Sequence, residues 1–443
     1  MSLTTRSSFG TRLGRLALAI LFSLSLVGLA ASHGRGAGAA SPVIVRISVD
    51  SWVLEELPLK KLAQQYSQIH PGVNIVIETA LGTWDTKALA QIKQTGHPLW
   101  DAHFVTSPFA DLDAHLAEGL FQPFDPYLKA SPEKGAQQLK SAMIPSLLAD
   151  GTRSGYLYSI PYSVEIVGME YRPDLMAMAG VTAPPKTWAE LKADIPILAK
   201  KLHGKKAFAL ASNGDLHTLQ EAFIMSASKH PFTKDGLIDW MSSESQQAVI
   251  FVKELTKMQG VAPRLTFGAD QLWTAGFVDM YLGQDSRTGW IKKLLGPDAA
   301  AFAPMPERCP GCGSGQVFWG NGVSLLKGAL HPAEATNFIV WALGPNDSAG
   351  LNLATLKSGK TPVYTQYIDK VKTNDAFKQY RWMLPVFDLI NHSTAQPATV
   401  NWGLEETAAT KWWPKYVDST MSAKEYAQHV LADVQTAIKR AKM

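Results

Sequence analysis

The sequence predicts an α/β fold in more than one domain, and three observations lead there. Strand-like alternation and helix-like spacing take turns along the chain. Its 443 residues, at roughly 150 per domain, suggest two or three domains, and 46% hydrophobic against 18% charged residues is enough to build sizeable cores. Val43, Val45, Ile47 and Val49 alternate with a period of two, as a strand does. Leu59, Leu62, Ala63, Tyr66 and Ile69 then recur at helical spacing, with Lys60, Lys61, Gln64, Gln65 and Gln68 between them, and Pro58 suits the helix start. His70-Pro71-Gly72 ends that helix, and Val73, Ile75 and Ile77 make a second strand. Such strand–helix–strand units build parallel sheets. The pattern continues with a helix from Ala88 to Gln94, a strand from Ala102 to Val105 and a helix from Leu112 to Glu118, closed by Gly119. Thr187-Trp-Ala-Glu190 is a capping box that opens another helix, which Pro196 ends or kinks, and Ala207 to Leu210 is a short apolar strand. The stretch from Gly151 to Pro173 is rich in turn residues and then strand-like, and the hinge between domains is expected there. No internal repeat is evident.

Charge narrows the function. Lys and Arg total 42 against 38 Asp and Glu, but Arg6, Arg12, Arg15 and Arg35 lie in the first forty residues, which hold no acid. Without those four the body is balanced at 38 of each sign. A balanced body argues against nucleic-acid binding, which needs a basic face. The chain also carries 13 Trp, 17 Phe and 12 Tyr, an aromatic supply that needs a use.

The first residues read as an address. Basic residues up to Arg15 precede an apolar run from Leu16 to Ala31, too short for a comfortable membrane span and followed by small residues, as in a secretory signal peptide. Ala37-Gly38-Ala39 fits the cleavage rule and places the mature start near Ala40; an earlier cut near Ala31 and an uncleaved anchor are the alternatives. Leu29-Ala30-Ala31-Ser32 has the shape of a lipoprotein box, with serine where the lipidated cysteine would stand. A soluble exported protein without a lipid anchor is the expectation.

The only cysteines, Cys309 and Cys312, flank Pro-Gly. Two cysteines cannot complete a tetrahedral zinc site, and Gly311, Gly313 and Gly315 favour a loop over a redox-active helix start, so a loop-closing disulfide is expected. Catalytic motifs fail in turn. There is no Gly-x-Ser-x-Gly elbow and no His-Glu-x-x-His pair, and the 11 histidines show no metal-ligand spacing. Gly359-Lys360-Thr361 imitates the end of a phosphate loop, but the leading glycine falls at Ala354. Glu405-Glu406 and the pair Asp235 and Asp239 have the residue type of glycosidase acids, and solvated helix faces explain them better. Neither enzyme chemistry, metal nor cofactor is expected.

From about Val43 to the C-terminus the chain resembles the extracellular solute-binding proteins of carbohydrate-uptake ABC transporters, the group that includes maltose-binding protein. The resemblance rests on ordered segments: Phe104 to Phe109 with Leu120 to Leu128, then Gly155-Tyr-Leu-Tyr-Ser-Ile-Pro161 through Glu165, Met169 to Leu175, and Pro184-Pro-Lys-Thr-Trp188. Phe318 to Ser324, Pro332 to Trp341 and the tail from Met421 to Lys439 continue it. Two departures stand out, the missing lipid cysteine and a longer spacing between Met280 and Gly289-Trp290, which leaves Trp290, Asp285 and Arg287 competing for one ligand position.

The resemblance implies a two-lobed periplasmic binding protein of type II: two doubly wound α/β lobes joined by crossover strands near Tyr156 to Glu165, Gln316 to Trp319 and Ser358 to Tyr364. It implies a signal peptide over 1–39, an N-terminal lobe of 40–155 plus 319–358 and a C-terminal lobe of 156–318 plus 359–443. A sugar presents apolar faces and a rim of hydroxyls, so its receptor needs flat rings and short polar groups. Trp52 and Ser107 follow strands at the carboxyl edge, where open α/β sheets bind ligands. Trp84, Trp273, Asp285, Trp290 and Trp402 are further candidates, Glu165 matches the family's carboxylate past the first crossover, and Tyr162 and Trp319 lie beside crossovers. Trp188 and Trp341, on amphipathic helices, are expected in the core. The implied action is capture without chemistry: the lobes of a monomer close on a saccharide and dock on a membrane permease. The alternatives are a receptor for a charged solute, where Arg287 suits an anion and Glu165 with Asp285 a cation, and a secreted carbohydrate-active enzyme.

Overall fold

Residues with a period of two fold into strands with one face in a core. In β1 (Val43–Asp50), Val45, Ile47 and Val49 are fully buried while Ile44 and Arg46 face outward. A computed structural model describes residues 41–80, 82, 84–201, 206–210, 216–262, 269–393 and 399–441, and Pro42–Met443 forms one unit. The signal-like segment and its expected cleavage site near Ala37 to Ala40 lie outside the described residues.

The remaining strands are β2 (Val73–Ala80), β3 (Ala102–Thr106), β4 (Phe121–Gln122), β5 (Thr152–Arg153), β6 (Tyr156–Leu157), β7 (Ile160–Tyr171), β8 (Lys206–Leu210), β9 (Val278–Gln284), β10 (Ala301–Ala303) and β11 (Phe318–Leu326). One sheet runs in the order β2-β1-β3-β11-β7-β9-β8, with β10 added to β7 and β4 to β11. β1 pairs in parallel with β2 and β3, and β8 pairs in parallel with β9, so each end of the sheet keeps the parallel arrangement that the strand–helix–strand units predict. Between these ends β11 and β7 run antiparallel to each other over Phe318–Ile166 to Val323–Ile160. Both are almost wholly buried, including the polar residues Ser163, Glu165 and Glu170 of β7 and Asn321 and Ser324 of β11.

Two hydrophobic cores flank this central pair. The first gathers β1 to β3, the helix Leu59–Ile69 and the helix Pro332–Leu343. The second gathers Val167 and Met169 of β7, Met280 and Leu282 of β9 and the helices Trp188–Lys201, Ser243–Leu255, Trp402–Val417 and Ala423–Ala441. Trp188 and Trp341 are buried as expected. Val363, Tyr364, Tyr367, Val371, Val386 and Ile390 pack into the first core, whereas the sequence reading assigned everything after Ser358 to the C-terminal lobe. The reason is packing: the helix Thr365–Thr373 has a strong apolar stripe, and Tyr367, Ile368 and Val371 bury it against the first core. Past Ser358, among the described residues, the chain joins the second core from Trp402 onward.

Local signals behave as their chemistry requires. Thr187 Oγ1 accepts from the Glu190 backbone N–H at 3.2 Å and Glu190 returns a carboxylate to the Thr187 N–H at 3.1 Å, completing the capping box. The helix Trp188–Lys201 runs through Pro196 without ending there. Cys309 and Cys312 are joined as a disulfide with their Cα atoms 5.3 Å apart, closing the turn expected of them. No helix among the described residues is long and apolar enough to cross a membrane.

Candidate functional site

The strand ends determine where functional side chains gather. β1 and β3 finish side by side, and the turn after β1 carries Trp52 and, on the helix Val53–Glu56, Glu56, while Ser107 and Ala110 follow β3. On the other side β9 ends at Gln284 and hands over to the helix Ser286–Leu295, which starts with Ser286 and Arg287. Carboxyl edges of parallel strands from both ends of the sheet therefore face the same space. The crossover pair adds Glu165 from β7 and Trp319 and Asn321 from β11, and His217, Trp402 and Glu406 complete the wall on the second core's side. Together these residues line one cavity of about 450 Å³.

Three indole rings reach it. Trp52 is 39% exposed, while Trp319 and Trp402 are largely covered, at 5% and 6%. The Trp319 indole N–H donates to Asn321 Oδ1 at 3.1 Å, which fixes the ring. His217 stands edge-on to both buried rings, with centroids 5.3 Å from Trp319 and 5.8 Å from Trp402. Flat apolar faces and polar groups thus line one space, the composition that suits a polyhydroxylated ligand.

The floor is ionic. Lys360 Nζ lies 2.7 Å from Glu56 Oε2 and 3.2 Å from Glu165 Oε1, and the Ser286 hydroxyl donates to the other oxygen of Glu165 at 2.7 Å. Burial would lower the Lys360 ammonium, but the facing Glu165 and Glu56 outweigh it and hold its pKa above the ordinary value. Asp285 sits behind Glu165, fully buried, accepting from the Ile166 N–H at 2.9 Å and from the Thr361 hydroxyl at 2.7 Å. Burial first, and the Glu165 charge second, push its pKa up to about 7. Two glycines bring these parts together: a Cβ on Gly289 would meet Gly359 Cα at 2.7 Å, so only glycines let the helix Ser286–Leu295 approach the segment that carries Lys360 and Thr361. Gly359 also needs its φ of +93°.

Of the residues expected from sequence, Trp52, Ser107, Glu165, Trp319 and Trp402 line the cavity. The other five do not. Trp84 stacks on His103, centroids 3.7 Å apart, in a small cluster with Trp100 and Phe121. Tyr162 is buried in the first core beside Phe104. Trp273 has no exposure; its indole N–H donates to Glu170 at 2.8 Å and its ring stacks on Tyr281. Asp285 is one layer below the lining. Trp290 is 41% exposed, and the neighbouring Arg287 lies over its ring, 4.4 Å from the centroid, while itself reaching the cavity. Of the three residues competing for that position, the structure brings Arg287 to the cavity.

Sequence reasoning missed Glu56, Ala110, His217, Gln284 and Asn321 as lining residues. Glu56 and Gln284 had a usable signal, since they lie just after one strand and at the end of another. His217 and Asn321 had none. The reading of Glu405 and Glu406 as a solvated helix face is corrected: Glu405 is 1% exposed and accepts from the Trp240 indole at 2.6 Å and from the Ile238 N–H at 3.1 Å. Burial pushes its pKa up to about 7, while those donors oppose the shift. Glu406, next along, lines the cavity and accepts from the Leu216 N–H at 2.9 Å. Asp235 is an exposed turn residue on no helix. Among the described residues no cluster of His, Cys, Asp or Glu is arranged to hold a metal ion.

Comparison with known proteins agrees with this architecture. The family of bacterial extracellular solute-binding proteins matches residues 61–380. Curated relatives match over part of their length. A Brucella abortus protein provisionally described as a binding protein is 24% identical over 176 residues, 40% of this chain and 39% of the relative. A Deinococcus radiodurans protein given the provisional description of ABC transporter-binding protein is 22% identical over 287 residues, 58% of this chain and 63% of the relative. Solved structures cover more. The sugar-binding protein MalE of Xanthomonas citri superposes with a TM-score of 0.71 at 16% identity, covering 90% of this chain and 98% of that one. The Thermus thermophilus maltotriose-binding protein, bound with maltotriose, gives 0.68 at 18% identity over 89% and 100%. An Agrobacterium vitis ABC transporter solute-binding protein with bound D-mannitol gives 0.71 at 18% identity over 90% and 99%. At these identities the structures speak for the fold, which is the two-lobed fold of the MalE-like proteins.

Proposed function

Because the chain belongs to the bacterial extracellular solute-binding proteins, we propose that it captures a sugar or oligosaccharide between two lobes and delivers it to the permease of an ABC transporter. The observation that carries this reading is the cavity lined jointly by Trp52, Trp319 and Trp402 and by Ser107, Asn321 and carboxylates. Indoles stack on the C–H faces of a pyranose, and the amide, hydroxyl and carboxylate oxygens pair with its rim. The bound maltotriose of the Thermus neighbour and D-mannitol of the Agrobacterium neighbour are in keeping with it.

Trp52 and Ser107 come from the first core's side, and Trp402 and Glu406 from the second's. A ligand touching both sides favours the closed arrangement by its difference in contacts between closed and open states, and that closed form is what the permease would recognise. The lobes we infer are 40–155 with 319 to about 390 and 156–318 with 402–443, a division drawn from the two cores. β7, β11 and the segment around Thr361, which bridges Val164, serve as the crossovers. The export signal over 1–39, cleaved near Ala40 without lipidation, would leave a monomer free in the periplasm.

A thermal-shift screen of the mature protein against neutral saccharides, polyol phosphates and polyamines, with product analysis of every hit, tests the reading. A ligand at 100 times its dissociation constant stabilises the fold by about 2.7 kcal/mol. Stabilisation by a saccharide that is recovered unchanged supports capture. Turnover of the saccharide, or a response to charged ligands alone, overturns it.

A further inference from the structure

Gly359-Lys360-Thr361 imitates a phosphate loop in the sequence, and the solute-binding reading leaves it without a role. The structure gives it one. Lys360 is 6% exposed, yet its ammonium contacts two carboxylates that line the cavity, Glu56 at 2.7 Å and Glu165 at 3.2 Å. Thr361, next to it, binds Asp285 at 2.7 Å, directly behind Glu165. The loop that would cradle an anion is thus committed to acids of the protein itself.

Resting on the saccharide reading above, we propose that Lys360 sets the charge selectivity of the cleft: by neutralising Glu56 and Glu165 from beneath, it makes the site select a neutral polyhydroxylated solute and reject cations. Glu56, Glu165 and Glu406 all line the cavity, with Arg287 as the cation among the lining residues. Without Lys360 this is an acidic site flanked by three indole rings, which is the chemistry that attracts an organic ammonium through ion pairing and cation–π contact. With Lys360 in place both carboxylates are held in position by its ammonium, and their outward lone pairs are available as acceptors for sugar hydroxyls. Selectivity is a difference of affinities, and a buried counter-ion is a means of setting it against the wrong ligand. Lys360 is a positioning residue here, acting through the two glutamates.

The test measures dissociation constants of the mature protein for maltotriose, D-mannitol and spermidine, in the wild type and in two variants of opposite charge effect. Lys360→Met keeps the aliphatic stem and removes the charge. It is expected to weaken the neutral ligand at least tenfold and to move the ratio of spermidine to neutral affinity at least tenfold toward spermidine. Glu56→Gln relieves the negative excess instead and is expected to move the same ratio the other way, which keeps the test decisive if Lys360→Met does not fold. A ratio unchanged in a folded Lys360→Met protein, or in Glu56→Gln, overturns the role of Lys360 while leaving saccharide capture standing. A wild type that binds spermidine in preference to both neutral probes overturns the saccharide reading and the role of Lys360 together.

Discussion

Glu165 and Glu170 stand five residues apart on β7 and meet opposite surroundings. The odd spacing puts them on opposite faces of the strand. Glu165 faces the cavity at the crossover, opposite Trp319 in the ladder, and both its oxygens are engaged, one by Lys360 and one by Ser286. Glu170 faces a small core with Trp273 and Tyr281, and the donors that reach it, the Trp273 indole at 2.8 Å and the Thr288 hydroxyl at 2.7 Å, are neutral. Burial therefore drives its pKa well above the ordinary glutamate value, and the two donors do not offset it. An identical residue type on one strand thus faces a lysine at the cavity in one place and, in the other, accepts from neutral donors in a core where burial raises its pKa. Both are buried, Glu165 being only 4% exposed; what differs is the group in direct contact, an ammonium for Glu165 and an indole N–H and a hydroxyl for Glu170.

The largest effect that would break this contrast is expected on the buried side. Trp273→Ala removes a fully enclosed indole and the donor to Glu170, and should destabilise the fold by about 3–5 kcal/mol in denaturant unfolding. Ligand affinity of the protein that remains folded should be unchanged; an affinity loss matching the stability loss would place Trp273 in the binding machinery after all. On the cavity side, Glu165→Ala should cost about 2 kcal/mol of ligand binding, roughly thirty-fold by calorimetry. Retained affinity would remove Glu165 from the proposed site.

Trp52→Ala comes next, because the ring is 39% exposed and little packing is lost with it. Its affinity loss should be about tenfold, with a change in stability below about 0.5 kcal/mol. The smallest effect sharpens the contrast through pH. Glu170 has its folded pKa above the unfolded value of 4.5, so its contribution to stability is full below that pH and is lost as pH rises through the folded value. Asp150, Asp285 and Glu405, each raised by burial to about 7, act in the same direction. The melting temperature should therefore be lower at pH 8 than at pH 5.5, and Glu170→Gln should flatten that slope without altering ligand affinity. A melting temperature that rises between these pH values would contradict the raised pKa values of these acids.

Much of the site was legible because its signals are local. A residue just past a strand lies at the sheet edge wherever the strand ends up, which is why Trp52 and Ser107 could be placed, and Glu56 could have been. Trp84 and Trp273 look the same in sequence, aromatic residues near element ends, and the structure stacks the first, half-buried, on His103 and encloses the second against Glu170. Which tryptophan meets solvent depends on partners about 20 and 100 positions away along the chain. Lys360 is the extreme case: it lies 195 residues from Glu165, and its sequence neighbours suggest a phosphate.

By itself, then, the sequence determined the α/β alternation, the capping box at Thr187 and Glu190, the closed Cys309–Cys312 turn and the strand edges on which a cleft could form. These depend on backbone periodicity and on groups a few residues apart. Tertiary structure alone decided that the chain from Val363 to Ile390 packs with the first core, that Glu406 faces the cavity while Glu405 is buried, and that Lys360 sits beneath Glu56 and Glu165. Those outcomes depend on which charges and surfaces meet after folding, and desolvation and Coulomb energies act on distances in space, not along the chain.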